Sequence, residues 1–179
     1  MTVPNAITVL RILLVPPFVI YLLRGHYAGA LAIFALAAIS DFVDGYIARR
    51  FRQRSSIGAF MDPLADKLLA GTAFVLLAMR HIIPDWLVVL VISREVVIVG
   101  GLYLLSLLGV DIKIAPSRIG KLNTAFQLTT VCLCLLGQVE ALALPAAFHE
   151  ALRALFVATG LMTILSGFQY LRQGLRMVP

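Results

Sequence analysis

Apolar residues gather along this chain into six long runs. The first extends from about Ile7 to Leu23, with Arg11 near its start. The second extends from about Ala28 to Ala48 and is apolar until Asp41. The third begins near Asp62 and ends near Met79. The fourth runs from Pro84 to about Leu108, interrupted by Arg94 and Glu95. The fifth covers about Gly120 to Leu136 and the sixth about Pro145 to Leu171. Several runs approach the roughly 20 residues that a membrane-spanning helix needs. Turn and breaker residues sit in the gaps: Gly25, Pro84, Gly109, Pro116 and Pro145. The pattern predicts an all-α bundle of six transmembrane helices, a single integral-membrane domain over residues 1–179, with no internal repeat or low-complexity tract.

Composition supports that reading. Of 179 residues, 61% are hydrophobic and only 13% are charged, about half the usual 25% or so of a soluble domain. A soluble domain so poor in charge would aggregate, whereas a lipid-facing one would not. No basic region or small-residue cleavage site precedes the first run, so that run is expected to be a retained helix and not a signal peptide.

Loop charge predicts orientation. Arg49, Arg50, Arg52 and Arg54 follow the second run; Lys113, Arg118 and Lys121 follow the fourth; Arg172 and Arg176 lie in the tail. The alternate loops hold Arg24, Arg80 and, from Gly137 to Glu150, neither Lys nor Arg. The rich loops belong in the cytoplasm, with both termini. The net charge of +6 then points to anionic lipid headgroups rather than nucleic acid, since no aromatic-basic interleaving accompanies it. Trp86 and Tyr27 fit interfacial anchors.

Two residue types are given bland roles. Cys132 and Cys134 alternate along an apolar run and point to different helix faces, which suits packing better than a disulfide or metal clip. His26, His81 and His149 fall near loops and share no ligand spacing.

The chemistry concentrates in DFVDGYIARRFRQRSSIGAFMDPLADK, Asp41 to Lys67. Asp41 and Asp44 share one helix face, and Asp62 and Asp66 share another. A short connection predicts that the two helices are antiparallel neighbours, so four carboxylates can converge at one depth on the cytoplasmic face. Four like charges at a membrane boundary need compensation. Mg²⁺ or Mn²⁺ supplies it, taking oxygen ligands and keeping positions for substrate phosphates. Two ions roughly 4 Å apart could clamp a diphosphate. Arg49 can add a forked contact to phosphate, and one aspartate could deprotonate an attacking hydroxyl. Capping could account for Asp62, near a helix start. It does not account for Asp41 and Asp44 at the end of an apolar span, where the helix dipole disfavours anions.

The run Asp41-x2-Asp44-Gly45-x2-Ala48-Arg49-x8-Gly58-x3-Asp62-x3-Asp66 resembles the complete signature of the CDP-alcohol phosphatidyltransferases, with all eight positions and every gap matching. The resemblance implies that Asp41, Asp44, Asp62 and Asp66 form the metal site and that Asp66 is also the general base. Gly45, Ala48, Arg49, Gly58 and Asn5 then meet the CDP-lipid. The implied reaction displaces CMP from CDP-diacylglycerol by an alcohol, in phospholipid biosynthesis at a bacterial cell membrane, and the family often forms homodimers.

The acceptor is read from other segments. Val3-Pro4-Asn5-Ala6-Ile7-Thr8-Val9-Leu10-Arg11, Arg94-Glu95 and Ile119-Gly120-Lys121 are similar to bacterial phosphatidylglycerophosphate synthases. This favours glycerol 3-phosphate, with Arg94, Arg118 and Lys121 meeting its phosphate. Tyr103 departs from that pattern, which carries Arg there. Ala115-Pro116-Ser117 through Lys121-Leu122-Asn123-Thr124 and Gln127 resembles CMP-forming cardiolipin synthases, whose acceptor is phosphatidylglycerol. Arg94 and Glu95 could also simply neutralise one another, and Lys67 is either a snorkelling residue or a partner for carboxylates. Two other classes fit less well. A cation transporter would show repeats and interrupted helices, and an intramembrane prenyltransferase would carry two separated aspartate motifs.

Overall fold

In the computed structural model the backbone is described for residues 3–51, 56–107, 109 and 117–175. Helical side chains are described for 10–40, 67–101, 103–105, 107 and 117–175. The described residues fold into six α-helices: α1 (Val3–Leu23), α2 (Tyr27–Phe51), α3 (Ser56–Met79), α4 (Asp85–Leu107), α5 (Arg118–Gly137) and α6 (Ala146–Leu175). A single 3₁₀ turn, Glu140–Leu142, precedes α6. No strand occurs among the described residues.

Each apolar run becomes one helix, but helices overrun hydropathy at the polar ends. α2 continues past Asp41 to Phe51, and α3 begins at Ser56, six residues before the expected start. Hydropathy marks where a helix can meet lipid, whereas helical hydrogen bonding continues through polar residues. Asp62 therefore sits on the second turn of α3, too deep to cap its first N–H groups. Three of these helices are long and apolar enough to cross a membrane over their described residues: Asp85–Leu105, Arg118–Gly137 and Ala146–Leu175.

The turns are built from local backbone rules. Gly25 adopts φ 74°. His26 N donates to the Tyr21 carbonyl (2.9 Å) and Gly25 N to that of Leu22 (3.1 Å), a Schellman closure of α1 that favours glycine at the left-handed position. α3 closes in the same way, through Ile82 N to Leu77 O (2.9 Å) and His81 N to Ala78 O (2.7 Å). Here the left-handed residue is His81, φ 57°. The Arg80 guanidinium donates to the Leu23 carbonyl, tying this turn to the end of α1. Ser117 caps α5, its Oγ accepting from Gly120 N at 2.9 Å.

α1 packs on α2 and α3, α4 on α3 and α6, and α5 on α2, α3 and α6. Neighbours thus close a circuit, α1–α3–α4–α6–α5–α2, crossed by the contact between α3 and α5. The short connection between α2 and α3 predicts direct neighbours. Both pack on α1, and the side chains at the ends that this connection joins lie outside the described residues. Phe18 of α1 meets Phe34 of α2 with ring centroids 5.7 Å apart, and both join a core with Leu22, Phe74, Leu77 and Leu87.

α6 docks differently. Its buried residues are Thr159, Gly160, Thr163 and Ser166, facing buried Asn123, Gln127 and Thr130 of α5. Thr130 donates to the Phe126 carbonyl (2.8 Å), so Thr159 is the donor across the 2.8 Å Thr130–Thr159 contact. Thr163 Oγ1 donates to Asn123 Oδ1 at 2.9 Å. Gly160 lets the Trp86 ring of α4 approach so closely that a Cβ there would lie 2.6 Å from it. Small residues and inter-helix hydrogen bonds are the contacts that hold helices together in hydrocarbon. Outward faces carry exposed Val89, Val96 and Leu107 on α4 and Leu161, Phe168 and Leu175 on α6, apolar surface that water would not tolerate at this extent.

Candidate active site

α2 carries Asp41, Asp44, Gly45, Ala48 and Arg49 in its last turns, and α3 carries Gly58, Asp62 and Asp66 in its first. Helical register sets 41 beside 44 and 62 beside 66 on single faces. Their side chains, and that of Asn5, lie outside the described residues. The donor set suits a hard divalent cation: four carboxylates and no thiolate or imidazole in the motif.

One helical turn inward from these positions the described side chains begin, and they border a cavity of about 310 Å³. Ala37 and Ala38, a turn before Asp41, form one wall, and Lys67, directly after Asp66, with Ala70 and Gly71 a turn further on, forms another. Phe34, Leu69, Val91 and Leu128 close the floor with apolar surface. Arg11, Arg94, Glu95, Thr124 and Gln127 supply polar groups. Arg11 is only 1% exposed, and a charge so deep in a membrane-type bundle marks a functional region. Gln127 is also buried, and its Nε2 has no hydrogen-bond partner among the described residues.

A second cavity, of about 200 Å³, adjoins the first. Both share Lys67, Arg94 and Thr124; the second adds Ile98, Gly120, Lys121 and Tyr170. Three cations therefore face it from α3, α4 and α5. Behind them, on the lining of the larger cavity, Glu95 Oε2 lies 2.9 Å from Lys67 Nζ, while Arg94 Nη1 donates to its Oε1. Arg94 and Glu95 do neutralise one another, and Lys67 partners a carboxylate on α4. The charges are not spent on that pairing alone. Arg94 is 9% exposed, its Nη2 donates to Ser166 Oγ at 3.0 Å, and its guanidinium lies 5.5 Å from the Tyr170 ring centroid.

Of the residues proposed from sequence for an acceptor phosphate, Arg94 and Lys121 line this cavity. Arg118 is exposed on the first turn of α5 and lines neither cavity. Tyr103, the departure from the synthase pattern, is 65% exposed on the outer face of α4, away from both cavities. Arg11, Lys67 and Tyr170 were not singled out as ligands. For Arg11 the signal was available, a lone charge in an apolar run. For Tyr170 no signal existed before α6 was placed against α4.

The arrangement joins a carboxylate-rich helix pair to a compact cationic chamber, a combination suited to transfer between two phosphate-bearing substrates. Comparison with known proteins points the same way. The family model "CDP-alcohol phosphatidyltransferase" matches residues 1–165. The CDP-diacylglycerol–glycerol-3-phosphate 3-phosphatidyltransferase of Bacillus subtilis is 35% identical over 93% of this chain and 92% of that protein. A probable phosphatidylglycerophosphate synthase of Mycobacterium tuberculosis is 35% identical over 96% of this chain and 81% of its own length. A probable CMP-forming cardiolipin synthase of Drosophila melanogaster is 31% identical over 95% of this chain, which spans 56% of that protein.

Proposed function

The chain belongs to the CDP-alcohol phosphatidyltransferase family, and from that premise we propose that it transfers the phosphatidyl group of CDP-diacylglycerol to glycerol 3-phosphate, releasing CMP. The observation that carries the choice of acceptor is the chamber lined by Lys67, Arg94 and Lys121. Three cations suit the dianion of a phosphate monoester, and about 200 Å³ has room for a three-carbon phosphate.

In this reading the acceptor hydroxyl attacks the phosphorus that bears diacylglycerol. A new ester P–O bond forms, the diphosphate P–O bond breaks, and CMP departs with the bridging oxygen. Asp66 takes the hydroxyl proton. Asp41, Asp44, Asp62 and Asp66 would hold Mg²⁺ or Mn²⁺, which neutralises the diphosphate when bound. Gly45, Ala48, Arg49, Gly58 and Asn5 meet the CDP-lipid. Arg94 and Lys121 fix the acceptor phosphate, so that its far hydroxyl points toward the aspartate end of α2 and α3. The apolar floor of the larger cavity excludes water, which would otherwise compete as nucleophile.

The whole chain acts as one membrane domain of six spans with both termini in the cytoplasm and the aspartates at that face, as loop charge favours, and works as a homodimer. CMP then leaves directly into the cytoplasm.

The test is CMP release by purified protein given CDP-diacylglycerol, Mg²⁺ or Mn²⁺, and each acceptor in turn. Turnover with glycerol 3-phosphate, abolished by chelator, is the expected result. Turnover with phosphatidylglycerol alone would reassign the acceptor, and no CMP with any alcohol would overturn the reading.

A further inference from the structure

Arg94, like Lys67, lines both cavities, and α6 packs against it. Ser166 accepts its Nη2 hydrogen bond at 3.0 Å. A turn later the Tyr170 ring lies beneath the guanidinium, 5.5 Å from it. Between them Gly167 packs beside the Arg94 stem, where a Cβ would make an ordinary 3.6 Å contact with Arg94 Cγ. Arg94 Nε is buried without a partner among the described residues, a donor left for something that enters the chamber.

Tyr170 also touches a second element. Its Cε2 and Oη each lie 3.3 Å from where a Cβ of Gly120 would stand. Gly120 belongs to the capped first turn of α5, where Ser117 Oγ accepts its N–H, and Lys121 follows directly. One ring therefore bears on the guanidinium from α4 and on the backbone that carries the neighbouring ammonium.

We propose that Tyr170 is a positioning residue that spaces Arg94 and Lys121 for a compact phosphate monoester, and thereby determines acceptor specificity. The inference rests on the acceptor reading above. A monoester brings two charges and one substituent, matching three cations and one carboxylate. A phosphodiester brings only one charge to the same three cations, and a second substituent beside the Tyr170 and Ile98 side chains of the lining. The ring acts through its face, because a guanidinium over an aromatic face is held electrostatically and in a fixed plane.

Steady-state kinetics of CMP release, with glycerol 3-phosphate and CDP-diacylglycerol varied in turn, tests this. Tyr170→Leu removes the aromatic face and keeps apolar bulk. The acceptor KM should rise on the order of tenfold, with kcat and the KM for CDP-diacylglycerol within about twofold of wild type. Tyr170→Phe keeps the face and should restore wild-type values. Gly120→Ala, which crowds the ring from α5, should raise the acceptor KM in the same direction. It tests the same contact even if the leucine variant fails to fold. Equal rises in both KM values, a loss confined to kcat, or a phenylalanine variant as impaired as the leucine one would each overturn the proposal. A wild type that releases CMP with phosphatidylglycerol and not with glycerol 3-phosphate would overturn it too. A wild type inactive with every acceptor would instead remove the catalytic reading beneath it.

Discussion

Glu95 is the carboxylate paired with two of the chamber cations, and replacing it by glutamine separates its two effects. The amide keeps the shape and an oxygen that can still accept from Arg94, but the charge disappears. At an effective dielectric of about 20, unit charges at the 2.9 Å Lys67–Glu95 separation attract by about 6 kcal/mol. Lys67 is 36% exposed and Glu95 22%, so solvent screens much of that. Leaving Lys67 and Arg94 without their counterion should cost ~2–3 kcal/mol, or about 4–10 °C in Tm for a chain of this size. A bound phosphate dianion supplies the missing charge. Glu95→Gln should therefore be less stable without ligand, gain more Tm than wild type on adding glycerol 3-phosphate, and show a lower acceptor KM. Thermal unfolding in detergent with and without the acceptor, beside steady-state kinetics, measures all three. An unchanged Tm, or a ligand shift no larger than wild type, would refute the account of Glu95 as counterion.

Other substitutions probe other links. Asp66→Asn should retain metal and CDP-lipid binding, measured by calorimetry, far better than turnover; equal loss of both would argue against a base. Gly160→Ala would put a Cβ 2.6 Å from the Trp86 ring and should cost about 1–3 kcal/mol as the ring is displaced. Trp86 is the only tryptophan, so its emission reports the shift directly, and unaltered emission with unaltered Tm would contradict the packing. His81→Gly relieves a left-handed backbone that costs roughly 1–2 kcal/mol for residues with a Cβ, partly offset by the greater freedom of glycine when unfolded. Tm should rise by a degree or more, and a fall would mean that the His81 side chain itself holds the turn.

The sequence was legible where one physical rule acts on neighbouring residues. Six apolar runs gave six helices because a span must be both apolar and long, and Gly25 and Ser117 mark turns whose hydrogen bonds are local. Helix ends were misread because α2 and α3 continue through charged residues that hydropathy excludes. The aspartates announce themselves by spacing, whereas the acceptor chamber is assembled from four helices. Arg94 and Lys121 were recognisable as charges near apolar runs. That Lys67 faces Glu95, that Arg118 turns away, and that Tyr170 lies beneath Arg94 depend on how α3, α5 and α6 are rotated against α4. No local pattern records those rotations.

The fully buried residues of α6, among those described, are hydroxyl residues and glycine, while Leu152 and Phe156 pack only partly buried against the apolar core. In hydrocarbon, burying such a side chain would bring little anyway, and each inter-helix hydrogen bond contributes only about 0.6 kcal/mol. This gives the sixth helix a particular standing in biogenesis. It can enter the bilayer as an independent segment and dock last, largely by shape and polar register. Ser166 and Tyr170 travel with it, so Arg94 acquires its clamp only at that final docking. A nascent chain halted before this step would carry every motif aspartate and still leave Arg94 without its α6 partners, so on the acceptor reading proposed above competence for lipid synthesis would wait on completed assembly.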